Sequence, residues 1–315
     1  MPPFNTALRF ATATFKVAIS NPRSYARPVL PHLTPFITPN FAFATRKMST
    51  SSAVAQRLSR KTILITGASS GIGRSTALEF VKTASDVRLI LTARRQEQLE
   101  LLKAEIRLLS ADAEILVQKL DVSDPADIKR FWAELPVEWK VTLDILVNNA
   151  GLVKGLEHVG DIAEEDVNVM YSTNVAGLIS MTQNAIPIFK AKNSGTIINI
   201  GSIAGREPYP GGSIYCSTKA AVRAFTESLR KELINTRIRA SCVDPGQVET
   251  EFSVVRFRGD KEKADAVYAG VEPLTGEDIA EIVVFVAGRR ENVNIADTLV
   301  FPSHQGGAAS MYRKP

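Results

Sequence analysis

A tyrosine and a lysine stand four residues apart in the run SIYCSTK, as Tyr215 and Lys219. If this run is helical, the two side chains share one face, and an ammonium group lies beside a phenol. A phenol with its ordinary pKa of about 10 is a poor base at neutral pH, but a neighbouring cation stabilises the phenolate and lowers that pKa. The same spacing often occurs by chance, so its meaning depends on the fold. Thirteen residues upstream, Ser202 follows an apolar run and could offer its hydroxyl to the same ligand.

A second candidate site is the run ITGASSGIGRS, residues 65–75. Its glycines, Gly67, Gly71 and Gly73, follow the spacing G-x-x-x-G-x-G, which differs from the common dinucleotide fingerprint G-x-G-x-x-G. The run lies between an apolar stretch and a helical pattern, where a helix N-terminus offers N–H groups and a positive dipole to a phosphate. Ser69 and Ser70 can add hydroxyl donors. Taken alone, the run could equally be a cluster of small residues at a turn.

The end of the next apolar run carries two arginines where an NAD site would carry an acid. Such sites usually place Asp or Glu about 20 residues after the glycine loop, to bind the ribose 2′-hydroxyl. Here VRLILT runs into Ala93, Arg94 and Arg95. A guanidinium binds a 2′-phosphate bidentately, so the pair predicts NADP. The alternative, two solvated arginines at a helix start, is weakened because arginine opposes the helix dipole there.

These residues need a scaffold that brings strand ends together, and the chain from Lys61 onward has the pattern of one. We predict strands at residues 62–66, 87–92, 114–120, 143–149, 196–200, 239–243 and 298–301, and helices at 96–109, 213–235 and 275–287 among others. Near-continuous apolar strands indicate parallel strands covered on both faces. Their alternation with helices predicts a single doubly wound (Rossmann) α/β domain, with a mostly parallel seven-stranded sheet and helices on both faces. Ligands bind such sheets at the carboxyl ends of the strands.

The charge of the chain is unevenly distributed. Residues 1–60 carry eight basic residues and no acid, whereas residues 61–315 carry 30 basic and 33 acidic residues. The folded part is therefore mildly acidic, and we expect no nucleic-acid partner. No apolar stretch approaches the roughly 18 residues of a membrane span, so we expect no membrane insertion. The two cysteines and three histidines show no metal-ligand spacing, and so few cysteines favour a reducing compartment.

The N-terminal residues 1–55 are predicted to be a disordered extension, with the folded domain at 56–315. An acid-free segment that contains Arg, Ser and Thr is typical of a mitochondrial transit peptide, which would direct the protein to the matrix. Several prolines between residues 22 and 39 exclude a long helix there. The alternative is a cytoplasmic protein that starts at Met48, just before the fold.

Taken together, these motifs resemble those of the short-chain dehydrogenase/reductase family, over residues 61 to about 305. The glycine loop of that family runs T-G-x-x-x-G-x-G, which TGASSGIG matches, so the spacing is typical of that family. NNAG at 148–151, LDV at 120–122, TNVAG at 173–177 and DPGQVET at 244–250 match further family segments. The resemblance implies a catalytic tetrad of Asn174, Ser202, Tyr215 and Lys219. It implies that cofactor is bound by Gly67, Ser69, Ser70, Gly71, Ile72, Gly73, Arg94, Arg95, Asp121, Val122, Asn148, Tyr215, Lys219, Pro245, Gly246, Val248 and Thr250.

The chemistry implied by the resemblance is hydride transfer between a carbinol carbon and the nicotinamide of NADP. Tyr215 would take the alcohol proton in oxidation and return it in reduction. Lys219 would lower the pKa of the tyrosine and hold the nicotinamide ribose. Ser202 would hydrogen-bond the substrate oxygen, and Asn174 would position a water that relays protons from Lys219.

A narrower similarity indicates the substrate class. The runs GSIAGREPYPGGSIYCSTKAAVRAF, VETEFSVVRFRGD and IADTLVFPSHQ are similar to NADP-dependent microbial 3-hydroxy acid dehydrogenases. That group oxidises L-serine, L-allo-threonine and 3-hydroxyisobutyrate and generally forms tetramers, so a small hydroxy acid and a homotetramer are implied. Arg206, Arg256 and Arg258 lie in substrate-side segments and are candidates to bind the carboxylate. Each could equally make a surface or interface contact.

Two other functions are compatible with these motifs. One is an NADPH-dependent carbonyl reductase that acts on a bulkier ketone or an acyl thioester, since many substrates share this fold and tetrad. The other is a non-catalytic NADP-binding protein, against which the complete tetrad counts.

Overall fold

The fold is taken from a computed structural model, which describes residues 50–314, with side chains from Ala53 onward. Within this range the strands are β1 (Thr62–Thr66), β2 (Arg88–Ala93), β3 (Glu114–Lys119), β4 (Leu143–Asn148), β5 (Gly195–Ile200), β6 (Ile238–Pro245) and β7 (Asp297–Val300). They form one sheet in the order β3-β2-β1-β4-β5-β6-β7. Every neighbouring pair is parallel. This confirms the predicted doubly wound sheet.

Helices cover both faces of the sheet. They are α1 (Thr50–Leu58), α2 (Gly71–Thr83), α3 (Gln96–Leu109), α4 (Pro125–Glu134), α5 (Val137–Lys140), α6 (Glu164–Tyr171), α7 (Leu178–Lys192), α8 (Ser213–Glu232), α9 (Phe252–Arg256), α10 (Lys261–Ala266) and α11 (Gly276–Ala287). A π-helical turn, Ser172–Gly177, joins α6 to α7, and a 3₁₀ turn, Ile203–Gly205, follows β5. None of the helices in the described part of the chain combines the length and the hydropathy needed to span a membrane.

Two apolar cores lie on opposite faces of the sheet because successive strand side chains point in opposite directions. Ile63 and Ile65 of β1 pack in one core with α1, α2, α3 and α11. Leu64, between them, packs in the other core with α4, α7 and α8. Side chains of β1, β5 and β6 are buried throughout, as expected for strands covered on both sides.

The strand order reverses between β1 and β4, and this reversal sets the position of the site. β1 pairs with β2 on one side and with β4 on the other. Chain leaving the carboxyl ends of these two strands must diverge, which opens a crevice at that edge. The glycine loop follows β1 and the NNAG segment follows β4, so both face this crevice.

The first helix crosses the predicted boundary between residues 55 and 56. Leu58 is buried in the core, and Arg57 Nε donates a hydrogen bond to the Gly288 carbonyl at 2.6 Å. Residues 50–55 are helical as part of α1, which is a correction to the disorder predicted there. Leu58 places α1 in the same core as α2. The predicted disorder and targeting role of the rest of the extension, residues 1–49, lie outside the described residues.

Candidate active site

A cavity of about 390 Å³ lies at the carboxyl edge of the sheet. The glycine loop, the chain after β2, β4, β5 and β6, and the first turns of α8 line it. Both groups of sequence motifs, the phosphate-binding candidates and the tyrosine–lysine pair, therefore meet in one space. Within the described residues, we find no cluster of His, Cys, Asp or Glu that could hold a metal ion.

The glycine loop forms one end of the cavity. Gly67 and Gly71 have φ values of +67° and +51°, in the left-handed region that favours glycine. Gly73 lies behind the loop, where a Cβ would overlap the Gly67 carbonyl oxygen and the Asn149 side chain. Of the residues predicted in this loop, Gly67, Ser69, Ser70, Gly71 and Ile72 line the cavity, whereas Gly73 lets α2 pack closely against it.

The NNAG segment contributes a different asparagine from the predicted one. Asn148 is buried away from the cavity and donates hydrogen bonds to Thr182 and Asn199, both at 2.9 Å. Asn149 lines the cavity, and its Nδ2 donates to the Thr66 and Gly67 carbonyls at 2.9 and 3.1 Å. Asn148 is the last residue of β4 and points into the α7 side, so its neighbour takes the position at the strand end. The duplicated asparagine was the available signal, but the sequence did not show which one faces the ligand.

Two arginines stand at the end of the cavity next to the glycine loop. Arg94 and Arg95 follow β2, and both line the cavity. Arg95 Nη2 donates to Ser70 Oγ at 2.7 Å and forms an ion pair with Glu251 at 2.8 Å. Asp121 and Val122, after β3, line the same end. Sequence reasoning missed Glu251, whose pKa is lowered chiefly by its hydrogen bond from Arg95.

The tyrosine and lysine share one face of α8, as their spacing predicted. Both side chains are buried, and Lys219 Nζ lies 5.9 Å from the centroid of the Tyr215 ring. Lys219 Nζ donates a hydrogen bond to the Ile200 carbonyl at 2.8 Å, which ties α8 to the end of β5. The ammonium group is therefore held beside the phenol rather than in solvent.

Ser202 and Asn174 complete this group from two further elements. Ser202 caps the 3₁₀ turn after β5, where its Oγ accepts a hydrogen bond from the Ala204 amide at 3.1 Å. Asn174 lies in the π-helical turn and exchanges two hydrogen bonds of 2.8 Å with the Leu152 backbone. A Cβ on Gly151 would meet both Asn174 Oδ1 and Lys219 Nζ, at 3.3 and 3.7 Å, so these two groups approach one point.

Burial opposes charge on both members of the tyrosine–lysine pair. It raises the pKa of Tyr215 well above its ordinary value of 10, and the neighbouring Ser202 hydroxyl opposes that rise. It lowers the pKa of Lys219 from 10.5 to about 8. The shifts have one cause, since a low-dielectric site disfavours phenolate and ammonium alike. The pair can therefore pass a proton only when charge on one group is offset by the other or by a bound ligand.

Apolar side chains close the cavity over the phenol. The Phe252 ring meets the Tyr215 ring edge to face, with centroids 5.6 Å apart. Leu152 and Val255 line the same wall. The sequence did not single out these three residues, because apolar side chains in loops carry no spacing signal. The predicted residues of the segment after β6 also line the cavity, namely Pro245, Gly246, Val248 and Thr250.

The three candidate arginines occupy different surroundings. Arg206 Nε pairs with Asp244 at 2.7 Å, and its Nη2 lies 3.2 Å from Asp297. Arg258 pairs with Asp166 at 2.6 Å. These two guanidinium groups thus face carboxylates of the protein itself and do not line the cavity, which is a correction to their predicted substrate contact.

Arg256 also does not line the cavity, but its partners differ from those of the other two. It lies over the Tyr209 ring, 5.8 Å from its centroid, and donates to the Gly155 and Gly211 carbonyls at 3.1 and 3.4 Å. These partners are neutral, so the positive charge is not cancelled by them. Arg256 directly follows Val255, which lines the cavity, so its guanidinium belongs to the segment that forms this wall.

The chain is similar to known proteins over most of its length. A family model described as short chain dehydrogenase matches residues 61–261. An NADP-dependent 3-hydroxy acid dehydrogenase from Schizosaccharomyces pombe is 58% identical over 258 residues, covering 82% of this chain and 98% of that protein. A serine 3-dehydrogenase from Agrobacterium fabrum is 39% identical over 254 residues, covering 80% and 98% of the two chains.

The solved structures agree with the sequence relatives. The closed form of a serine dehydrogenase complexed with NADP+ superposes with a TM-score of 0.73 at 41% identity, covering 80% of this chain and 99% of that chain. The fold is therefore shared with a protein that was crystallised with NADP+.

Proposed function

Because the chain belongs to the short chain dehydrogenase family, we propose that it is an NADP-dependent oxidoreductase acting on small 3-hydroxy acids. It would transfer a hydride between the nicotinamide and the carbon that bears the 3-hydroxyl group of L-serine, L-allo-threonine or 3-hydroxyisobutyrate. The observation that carries the proposal is the buried tyrosine–lysine pair beside Ser202, in a cavity whose opposite end is a glycine loop with two arginines.

The residues that line the cavity fit NADP. The glycine loop approaches the segment after β6 so closely that a Cβ on Gly71 would come within 3.2 Å of Thr250 Cγ2, and the loop thus forms a narrow cradle for phosphate. Arg94 and Arg95 would hold the 2′-phosphate, Asp121 and Val122 the adenine end, and Pro245, Gly246, Val248 and Thr250 the nicotinamide half. When bound, NADP supplies the hydride acceptor.

The protein's own part of the reaction is to move one proton and to stabilise charge on one oxygen. In oxidation, the substrate hydroxyl gives its proton to Tyr215 Oη, and the carbon that bears this hydroxyl loses a hydride. Lys219 offsets the phenolate charge, and the Ser202 hydroxyl donates a hydrogen bond to the substrate oxygen. Asn174 fixes the Leu152 loop beside Lys219. A water positioned there by Asn174, as the route by which protons leave Lys219, stays a prediction.

Arg256 supports the choice of an acid as substrate. It follows Val255 of the cavity wall, and its charge is not cancelled by its neutral hydrogen-bond partners. A carboxylate two carbons from the reacting hydroxyl would be attracted to this guanidinium, and charge-assisted hydrogen bonds of this kind contribute about 1.5–3 kcal/mol. The apolar wall of Leu152, Phe252 and Val255 also suits the second candidate, a carbonyl reductase for a bulkier ketone or an acyl thioester.

The test is NADPH formation with L-allo-threonine, L-serine and 3-hydroxyisobutyrate, repeated with NAD. We expect turnover of the acids with NADP, little with NAD, and a much higher KM for the methyl ester of 3-hydroxyisobutyrate. Arg256→Met should raise the KM for the acids by about 10–100-fold and leave that for the ester unchanged. If none of the acids is turned over and a bulky ketone is reduced by NADPH, the second candidate is favoured.

Assembly and location are part of the same proposal. A homotetramer is supported by large exposed apolar side chains, with Phe285 on α11 49% exposed and Leu299 on β7 38% exposed. Mitochondrial import is supported by the acid-free composition of residues 1–60. A fluorescent protein that carries residues 1–60 at its N-terminus should enter mitochondria. Diffuse fluorescence would favour a cytoplasmic protein that starts at Met48.

A further inference from the structure

An ion pair between a buried aspartate and a partly exposed arginine lies behind Ser202. Asp244, near the end of β6, is 1% exposed, and its Oδ2 accepts a hydrogen bond of 2.7 Å from Arg206 Nε. Arg206 is in turn the residue that ends the 3₁₀ turn beginning after Ser202. Burying a carboxylate is costly unless it is paired and hydrogen-bonded, so its place here needs an explanation.

The other oxygen of the same carboxylate holds the backbone of Ser202. Asp244 Oδ1 accepts hydrogen bonds from the Ser202 amide at 3.2 Å and from the Cys242 thiol at 3.1 Å. Glycine is required at position 201, because a Cβ there would overlap this carboxylate oxygen. Asp244 thus forms hydrogen bonds with both ends of the segment 202–206, at the amide of Ser202 and at the side chain of Arg206.

Three consecutive residues at the end of β5 are each held by a different partner. The Ile200 carbonyl accepts from Lys219 Nζ at 2.8 Å, and the Gly201 amide donates to the Val243 carbonyl at 2.7 Å. Asp244 holds the third, Ser202. The hydroxyl of Ser202 therefore lies on backbone that the Asp244 carboxylate joins to β6.

We propose that Asp244 is a positioning residue, which sets the place of the Ser202 hydroxyl relative to Tyr215 by bonding the Ser202 amide and the Arg206 guanidinium together. This rests on the function proposed above. Without the carboxylate, the segment 202–206 loses both attachments to β6. A displacement of about 1 Å at a reacting group can lower a rate by about 100-fold, so the effect should appear in kcat.

The test compares Asp244→Ala with a matched control at the other end of the sheet. Asp144 also accepts a backbone amide, that of Thr62 at 3.1 Å, and pairs with Lys61 and Lys192 at 3.3 and 3.1 Å. Asp244→Ala should lower kcat by about 10–100-fold. The Kd for NADP, measured by calorimetry, should stay within about twofold of the wild-type value. Asp144→Ala should lower Tm and leave kcat unchanged.

A folded Asp244→Ala variant with wild-type kcat would overturn the proposal and leave the proposed function standing. If that variant does not fold, Asp244→Asn takes its place. The asparagine side chain has one accepting oxygen, which can bind the Ser202 backbone N–H. Its Nδ2 only donates, so it cannot accept from Arg206, and kcat should fall about fivefold or more. A kcat within about twofold of wild type would then overturn the inference. Wild-type protein that turns over no hydroxy acid and no ketone would overturn both proposals together.

Discussion

Tyr215 and Lys219 show how far single residues could be interpreted before the fold was known. Their spacing predicted a shared helix face, and the structure places Lys219 Nζ beside the phenol ring. The depth of their burial was not predictable, because it depends on the loops after β4 and β6 that close over α8. That burial now determines the charge on both groups, and it has a measurable consequence for stability.

Lys219→Met should make stability less dependent on pH. In the folded protein the pKa of Lys219 is about 8, against an ordinary value of 10.5. Between these values the unfolded chain binds a proton that the folded chain does not, so this group makes stability rise with pH there. Below pH 8 its penalty is fully present, at about 3 kcal/mol. The pKa values of Tyr215 and Cys242 are raised by burial, so these two groups act in the opposite direction at high pH.

Urea unfolding of wild type and Lys219→Met at pH 7 and pH 9.5 measures this effect. The variant should gain free energy of unfolding relative to wild type at pH 7, and that relative gain should shrink at pH 9.5. A difference between the two proteins that does not change with pH would show that the lysine is not buried as a charge.

Arg94→Ala should weaken binding of NADP far more than binding of NAD. Arg94 lines the cavity beside Arg95, and loss of a charge-assisted contact to the 2′-phosphate should raise the Kd for NADP by about 10–100-fold. Arg107→Ala, which removes an exposed arginine from the last turn of α3, is the control and should change neither Kd. Calorimetric titration with both cofactors decides the matter, and an equal rise for both would contradict the assignment of Arg94.

The elements in which apolar residues recur with a regular period were predicted accurately. The helix α3 has the predicted bounds, residues 96–109. The helices between β4 and β5 were not assigned from the sequence. A π-helical turn interrupts their period, and α7 contains Pro187, a residue that usually ends helices. Asn174 lies in that turn, so its surroundings could not be derived from periodicity.

Gly73→Ala tests the packing of α2 on the glycine loop. The new Cβ would overlap the Gly67 carbonyl, which is rigid backbone, so α2 must shift away from the loop. We expect a lower Tm and a clearly weaker affinity for NADP. Gly306→Ala is the matched control, since the nearest atom to its Cβ would be Ser310 Oγ at 3.6 Å, an ordinary contact. NADP affinity equal to wild type in Gly73→Ala would show that the loop does not depend on this close approach.

At the scale of the whole molecule, the alternation of apolar strands and helices predicted the sheet, its two covered faces and the edge where the site lies. Residue positions within the site needed the structure, because the register at a strand end decides whether Asn148 or Asn149 meets the cavity. The same holds for the arginines: sequence placed three in the correct segments, but ion pairs with Asp244 and Asp166 engage two of them.

Assembly can be tested at this scale. If the exposed apolar surface of α11 and β7 lies between copies of the chain, Phe285→Asp should reduce the mass of the particle in light scattering. Leu101→Asp, which alters a leucine on α3 that is 63% exposed, is the matched control and should leave the mass unchanged. A wild-type protein that is already monomeric would contradict the proposed tetramer.

The most direct test of the central claim, that Tyr215 moves the substrate proton, is NADPH formation from L-allo-threonine by wild type and by Tyr215→Phe. Tyr171→Phe, which removes an exposed phenol hydrogen-bonded to Ser217, is the control. Tyr215→Phe should lose about 10²–10⁴-fold in kcat while still binding NADP, and Tyr171→Phe should match wild type. Equal turnover by wild type and Tyr215→Phe would contradict the account.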